Sequence, residues 1–135
     1  MLNYENLNLE INNENSIDFP EVSITTQRLK FDYNTFTNEN NEIMLSINLM
    51  NKTNDSVKIQ FIIENGQEVN FIVSGVTKQV HHIQANEIVN IIFRLIPLLR
   101  NQELKLPVVK ICEMNLDTQE KISSNYYFLD KIYIT

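Results

Sequence analysis

The stretch Val57-Lys58-Ile59-Gln60-Phe61-Ile62-Ile63-Glu64-Asn65-Gly66-Gln67-Glu68-Val69-Asn70-Phe71-Ile72-Val73 decides the fold class. Val57, Ile59, Phe61 and Ile63 alternate with Lys58, Gln60, Ile62 and Glu64, the period of a strand with one buried face. A second apolar run, Val69 to Val73, follows Asn65-Gly66. Asn-Gly between alternating runs is the strongest short-range signal for a tight hairpin. Two antiparallel strands joined at Glu64 to Gln67 are therefore predicted.

The same period extends outward in both directions. Upstream, Leu29, Phe31 and Tyr33 alternate with Lys30 and Asp32, and Ile43, Leu45, Ile47 and Leu49 alternate with Met44, Ser46, Asn48 and Met50. Downstream, Ser74-Gly75 is a turn before Val76 to Ile83, and Ala85-Asn86 a turn before Glu87 to Ile96. In that last strand Val89, Ile91, Phe93 and Leu95 are expected to face the core. Ile88, Asn90, Ile92 and Arg94 face the other way and are half apolar, which suits a central strand. Val108 to Met114 and one or two pieces of Tyr126 to Ile134 complete the set, with Asn115 to Ser124 as the polar turn between them. A helix over Val89 to Leu99 is the rival reading; it fails on β-branched density, on Pro97 and on missing caps.

Roughly seven to nine short strands with frequent turn signals indicate an all-β, immunoglobulin-like antiparallel β-sandwich. A small closed barrel is the alternative. The chain has no Trp and no cysteine pair, so it is not an antibody-like member. With only two glycines present, asparagine is expected where turns need left-handed backbone. Residues 1–19 read as a poorly ordered, Asn-rich lead-in, and residues 20–135 as the sandwich domain, because Pro20 holds Phe19 extended and opens the patterned part.

At 135 residues and 43% hydrophobic composition the chain is long enough for one core without disulfides or a structural metal. A net charge of −6 disfavours a nucleic-acid binder and an anionic membrane surface. Cys112 is the single cysteine, which excludes an intrachain disulfide, a cysteine-based zinc site and a Cys-x-x-Cys pair, and fits a reducing compartment. No signal peptide opens the sequence, and no apolar run reaches the length of a membrane span. A cytoplasmic protein without membrane insertion is expected. The sequons at Asn51 and Asn54 then read as turn chemistry.

Catalytic patterns are scarce. His81 and His82 are neighbours in a strand, so they point to opposite faces and do not chelate one metal; one exposed and one satisfied histidine is expected. Cys112 reads as a small core hydrophobe. Two isolated glycines cannot build a phosphate cradle. Glu64, Glu68, Asp117, Glu120 and Asp130 lie in or beside loops without a local signature of a catalytic pair. Asn38 to Glu42 lacks the aspartates and glycine of a calcium loop. Tyr126, Tyr127, Phe128 and Tyr133 read first as core and sheet residues. No catalytic residue, cofactor or metal ligand is assigned.

Four pieces occur in a distinctive order: Asn51-Lys52-Thr53 after a strand, then Phe71-Ile72-Val73-Ser74-Gly75, then Leu95-Ile96-Pro97-Leu98-Leu99, then Leu104-Lys105-Leu106-Pro107. This order, spanning about Glu42 to Cys112, resembles the C-terminal immunoglobulin-like (gryzun-like) domain of the large subunits of TRAPP, the transport protein particle, and most nearly the foie-gras type subunit. Arg100-Asn101-Gln102 stand where that family usually carries glycine after the Pro-Leu pair. The resemblance implies a non-enzymatic protein-interaction module of a vesicle-tethering complex in ER and Golgi trafficking, with other TRAPP subunits as partners and a Golgi-associated location. Pro97 and Pro107 bracket a leucine-rich loop, whose leucines either fold back over the sandwich end or form an exposed patch. The partner-binding candidates are Arg94, Leu98, Leu99, Arg100 and Leu104. A sandwich that binds carbohydrate or calcium on its loops is the alternative function.

Overall fold

The computed structural model describes residues 28–135. The expected lead-in at 1–19 and the opening of the domain at Pro20 lie outside the described residues. The strands are β1 (Leu29–Thr37), β2 (Ile43–Asn51), β3 (Val57–Glu64), β4 (Phe71–Ser74), β5 (Lys78–Ile83), β6 (Ile88–Pro97), β7 (Gln102–Lys105), β8 (Val108–Met114), β9 (Lys121–Phe128) and β10 (Lys131–Ile134). No α-helix occurs among the described residues.

One sheet has the order β1-β2-β6-β4, the other β9-β8-β3-β5, and β10 pairs with β7 as a short ribbon. Every pair is antiparallel. The first, second, sixth and fourth strands against the third, eighth and ninth reproduce the two-sheet arrangement of the immunoglobulin fold, with β5 added beside β3. No ladder joins the two four-stranded sheets among the described residues, so the architecture is a sandwich and not a closed barrel.

The core lies where the alternation puts it. Leu45, Ile47 and Leu49 of β2 and Ile91, Phe93 and Leu95 of β6 meet Ile59, Phe61 and Ile63 of β3 and Val109 and Ile111 of β8. Phe61 stacks on Phe93 across the two sheets with ring centroids 5.9 Å apart, and Phe31 on Tyr127 at 4.1 Å. Full burial of each such side chain stabilises the fold by about 1.5–3 kcal/mol. β6 is central, flanked by β2 and β4, as its two half-apolar faces require.

The Asn65-Gly66 hairpin does not form. β3 pairs with β5 and β8, whereas β4 pairs with β6 in the opposite sheet, so the chain crosses the sandwich between them. A tight Asn-Gly hairpin turn needs positive φ at both residues. Neither Asn65 nor Gly66 is among the positive-φ residues. Instead Asn65 Nδ2 donates to the Phe71 carbonyl at 2.8 Å, and Phe71 N–H donates to Asn65 Oδ1 at 3.3 Å. This clamp turns Phe71 into the core of the other sheet. Gly75 then returns the chain at φ 135°, where an added Cβ would stand 3.0 Å from the Phe93 ring. Asparagine does replace glycine at three other turns, with φ of 61°, 63° and 62° at Asn41, Asn86 and Asn101.

The span from Pro97 to Pro107 is not one loop either. It contains β7, which pairs with β10 in the register Leu104↔Ile132. The last segment resolves into two strands, β9 and β10, within the one or two pieces expected there, although β9 starts earlier, at Lys121.

Asn51 ties the sandwich end together from a fully buried position. Its Nδ2 donates to the carbonyls of Asp55 (2.7 Å), Ile83 (3.0 Å) and Gln84 (3.2 Å), while Oδ1 accepts from Thr53 N–H (2.9 Å) and Thr53 Oγ1 (2.7 Å). His81 is half-buried with Nε2 2.7 Å from Gln79 Oε1, and His82 is exposed, so the pair divides as expected.

Asn51→Ala strands several of these partners and is expected to cost about 2–4 kcal/mol in urea unfolding. Burial lowers the pKa of His81 from its ordinary 6.5. The unfolded chain then binds the proton more readily, so the stability contributed by neutral His81 is complete above 6.5 and is lost as pH falls below it. Thermal melts between about pH 7 and about pH 5 should show a shallower decline for His81→Gln than for the native chain.

Candidate functional site

The five partner-binding candidates do not share one surface. Arg94 lies on the outward face of the β1-β2-β6-β4 sheet and donates from Nη1 to Glu42 Oε2 at 2.7 Å. Asn38 Nδ2 holds the other oxygen of Glu42 at 2.9 Å. The Asn38 hydrogen bond first, and Arg94 second, hold the Glu42 carboxyl below its usual range. Leu98 and Leu99 are each 48% exposed in the turn after β6. Arg100 extends from the same turn to the Thr135 carbonyl at 3.1 Å. Leu104 is only 2% exposed and belongs to the core, because its pairing with β10 turns it inward beside Leu106. Thus Leu98, Leu99 and Arg100 remain together, Arg94 is engaged on a sheet face, and Leu104 is unavailable to a partner.

A different surface carries more chemistry, the outward face of the β9-β8-β3-β5 sheet. Backbone register sets Tyr126 of β9, Lys110 of β8, Ile62 of β3 and Lys78 of β5 in one row across all four strands. The next row is Ser124, Cys112, Gln60 and Val80; a third holds Met114, Lys58 and His82. Successive residues of a strand alternate faces, so these rows lie on the side of the strands turned away from the core, where Lys58 and Cys112 are buried and Lys78, Val80, His82 and Tyr126 are exposed.

Tyr126 is 55% exposed and Phe128 64% exposed, and their rings lie 6.3 Å apart. Lys110 Nζ stands 5.4 Å from the Tyr126 centroid, and Lys105 Nζ 5.9 Å from that of Phe128. Ammonium over an aromatic ring is a favourable pairing worth about 0.5–1 kcal/mol at an exposed site. It leaves the positive charge available to an anion. The ion pairs among the described residues are Arg28–Glu113, Lys30–Asp32 and Arg94–Glu42, none involving Lys58, Lys78, Lys105, Lys110 or Lys121. Glu64 is the carboxylate at the rim of this face, opposite Val108. The acidic chain thus bears a lysine-rich, aromatic sheet face.

Sequence reasoning missed this face because pairing, not spacing, puts Lys110 and Lys78 beside Tyr126. The available signal was the alternation Ser124, Tyr126, Phe128, which sets both rings on one side of β9. Tyr127, between them, faces inward against Phe31.

Other candidates close on themselves. Asn38 Oδ1 accepts from the N–H groups of Asn40 and Glu42, so that loop is self-bonded. Asp130 Oδ2 accepts from the Tyr33 hydroxyl at 3.0 Å. Cys112 is fully buried, and Ser124 Oγ donates to its sulfur at 3.3 Å. Among the described residues no three His, Cys, Asp or Glu side chains group closely enough to hold a metal ion. A cleft between the β1 and β9 edges, lined by Arg28, Leu29, Glu113, Ser123, Asn125 and Tyr127, has a volume of about 10 Å³, room for a water and not for a metabolite. No helix among the described residues is long and apolar enough to cross a membrane.

No protein-family model and no curated protein matches the chain. Among solved structures it is similar to a FixG-related protein from Vibrio parahaemolyticus, at 11% identity over 75% of this chain and 95% of that one, with a TM-score of 0.42.

The placement of the leucines separates core from surface. Leu104→Ala should lower stability by about 2–5 kcal/mol in urea unfolding. Leu98→Ala and Leu99→Ala should each cost less than about 1 kcal/mol; comparable losses at all three positions would contradict the placement.

Proposed function

We propose that the chain is a non-enzymatic protein-interaction module that takes acidic, extended protein segments on the outward face of the β9-β8-β3-β5 sheet. The observation that carries this reading is the row Tyr126, Lys110, Ile62, Lys78, flanked by Phe128 and Lys105, in which lysines without carboxylate partners among the described residues alternate with apolar groups. Such a row meets a segment whose carboxylates and apolar side chains are interleaved. The ammonium groups supply steering and register, and the rings supply area that excludes water. A sugar is less well matched, because lysines stand over the rings on which it would stack.

The resemblance over Glu42 to Cys112 supplies the setting of this proposal, a vesicle-tethering complex whose other subunits would be the partners. Several of the motif residues behind that resemblance have a role in the sandwich. Asn51 bonds the strand ends, Phe71, Leu95, Leu104 and Leu106 are buried, and Gly75 clears Phe93. These placements account for the fold; the setting rests on the resemblance alone, and the binding chemistry on the lysine and aromatic face.

A titration of the native chain with a synthetic peptide of alternating Glu and Leu or Tyr, read by amide chemical shifts at low and physiological salt, tests the assignment. The double variant Lys105→Glu, Lys110→Glu is expected to bind at least about fivefold more weakly with an unchanged melting temperature. Native affinity should fall as salt rises. Equal affinities for native and variant chains would overturn the reading.

A further inference from the structure

The charge of the chain is unevenly divided. Residues 1–27 contain Glu5, Glu10, Glu14, Asp18 and Glu21 and no Lys, Arg or His, a formal charge of −5 out of the total of −6. Their acids are interleaved with Leu, Ile, Tyr, Phe and Val, the composition the lysine and aromatic face is suited to receive. Residues 28–135 hold the other 12 of the 17 acids and all 11 basic residues, close to neutrality.

The point of attachment lies at the seam between the sheets, since the Arg28 carbonyl accepts from Lys52 N–H at the end of β2 while its side chain reaches across to β8. Arg28, where the described chain starts, bonds Glu113 of β8 at 2.5 Å and lies beside Ser123 and Asn125 of β9. These two strands carry Lys110, Tyr126 and Phe128 on their outward side. Twenty-seven residues reach about 90 Å when extended, and four strands span only about 15 Å, so the segment is long enough to cross the face. The outward face of the other sheet offers no equivalent charge. Lys30 and Arg94 there stand within 3.8 Å and 2.7 Å of Asp32 and Glu42, and Asn90 is bonded to Ser46 and Asn48. Each face also holds one buried polar atom without a hydrogen-bond partner, Gln60 Oε1 on the lysine face and Arg94 Nε on the other, so the difference between the faces is one of charge.

Building on the interaction reading above, we infer that residues 1–27 of the same chain occupy the β9-β8-β3-β5 face and compete there with an external acidic segment. Tethering makes the competition effective. A segment held by a short connection acts at an effective concentration of about a millimolar, so contacts too weak to bind in trans hold in cis. The N-terminal segment then sets a threshold that a partner must exceed, and its charge decides how high that threshold is.

Zero-length carbodiimide coupling of the full chain, followed by peptide mapping, tests the contact directly. A mixture of isotopically heavy and light chains separates links within a chain from links between chains. Links within one chain from Glu5, Glu10 or Glu14 to Lys78, Lys105 or Lys110 are expected. Overturning results are coupling of these carboxylates in equal yield to Lys30, Lys52 or Lys131, coupling only between chains, or none. A full-length variant with the five acids changed to Gln or Asn gives the second arm, and it should bind the same Glu/Leu/Tyr peptide about threefold to tenfold more tightly than the native chain. If neutralisation leaves peptide affinity unchanged while Lys105→Glu, Lys110→Glu still abolishes it, the cis contact is wrong and the interaction face stands. If the neutralised chain does not bind the peptide at all, the interaction face itself falls.

Discussion

The stacking of Phe61 of β3 on Phe93 of β6 is the contact around which the two sheets assemble. Each ring sits on a central strand, so each is enclosed by neighbours of its own sheet before it meets the other. Gly75 shows how tightly this contact is enclosed, since even a methyl group there would press on the Phe93 ring. Interiors packed to crystal density transmit such constraints without slack. The stack therefore sets the separation of the sheets, and that separation lets Phe71, Leu95, Val109 and Ile111 share one core.

Once β3 and β6 face each other, the chain between them must cross the sandwich. It leaves β3, joins the β6 sheet as β4, returns as β5 beside β3 and crosses again to β6. These crossings give the two outward faces different characters. On one, cations are matched by neighbouring carboxylates and the middle is bonded through Asn90. On the other, the strands that pair with β3 bring Lys110, Lys78 and Tyr126 into line. Function is proposed for the second face because its charges lack such partners among the described residues.

Strand faces were legible in the sequence because a strand repeats every two residues and water rejects apolar groups from one side only. Val89, Ile91, Phe93 and Leu95 were placed correctly on that ground alone, as were Leu29, Phe31 and Tyr33. Partners were not legible. The run after Asn65-Gly66 alternates equally well beside β3 or beside β6, and its pairing with β6, with Phe71 buried, appears only in the folded chain. Leu104 failed similarly. Four closely spaced leucines look alike in sequence, and only the pairing of β7 with β10 turns Leu104 inward while Leu98 and Leu99 stay half exposed.

By itself the sequence determined the fold class, the core faces of the strands, the asparagine turns, the burial of Cys112 and the different environments of His81 and His82. All of these follow from local periodicity, backbone preference and burial, which act over a few residues. Only the tertiary structure decided which strands are neighbours, that Pro97 to Pro107 contains a strand, and that five lysines and two exposed rings lie on or beside one sheet. Those depend on register between segments as distant as Ile62 and Tyr126. Register is chosen by the whole core at once, because a one-residue slip in any strand would turn its apolar side chains to water.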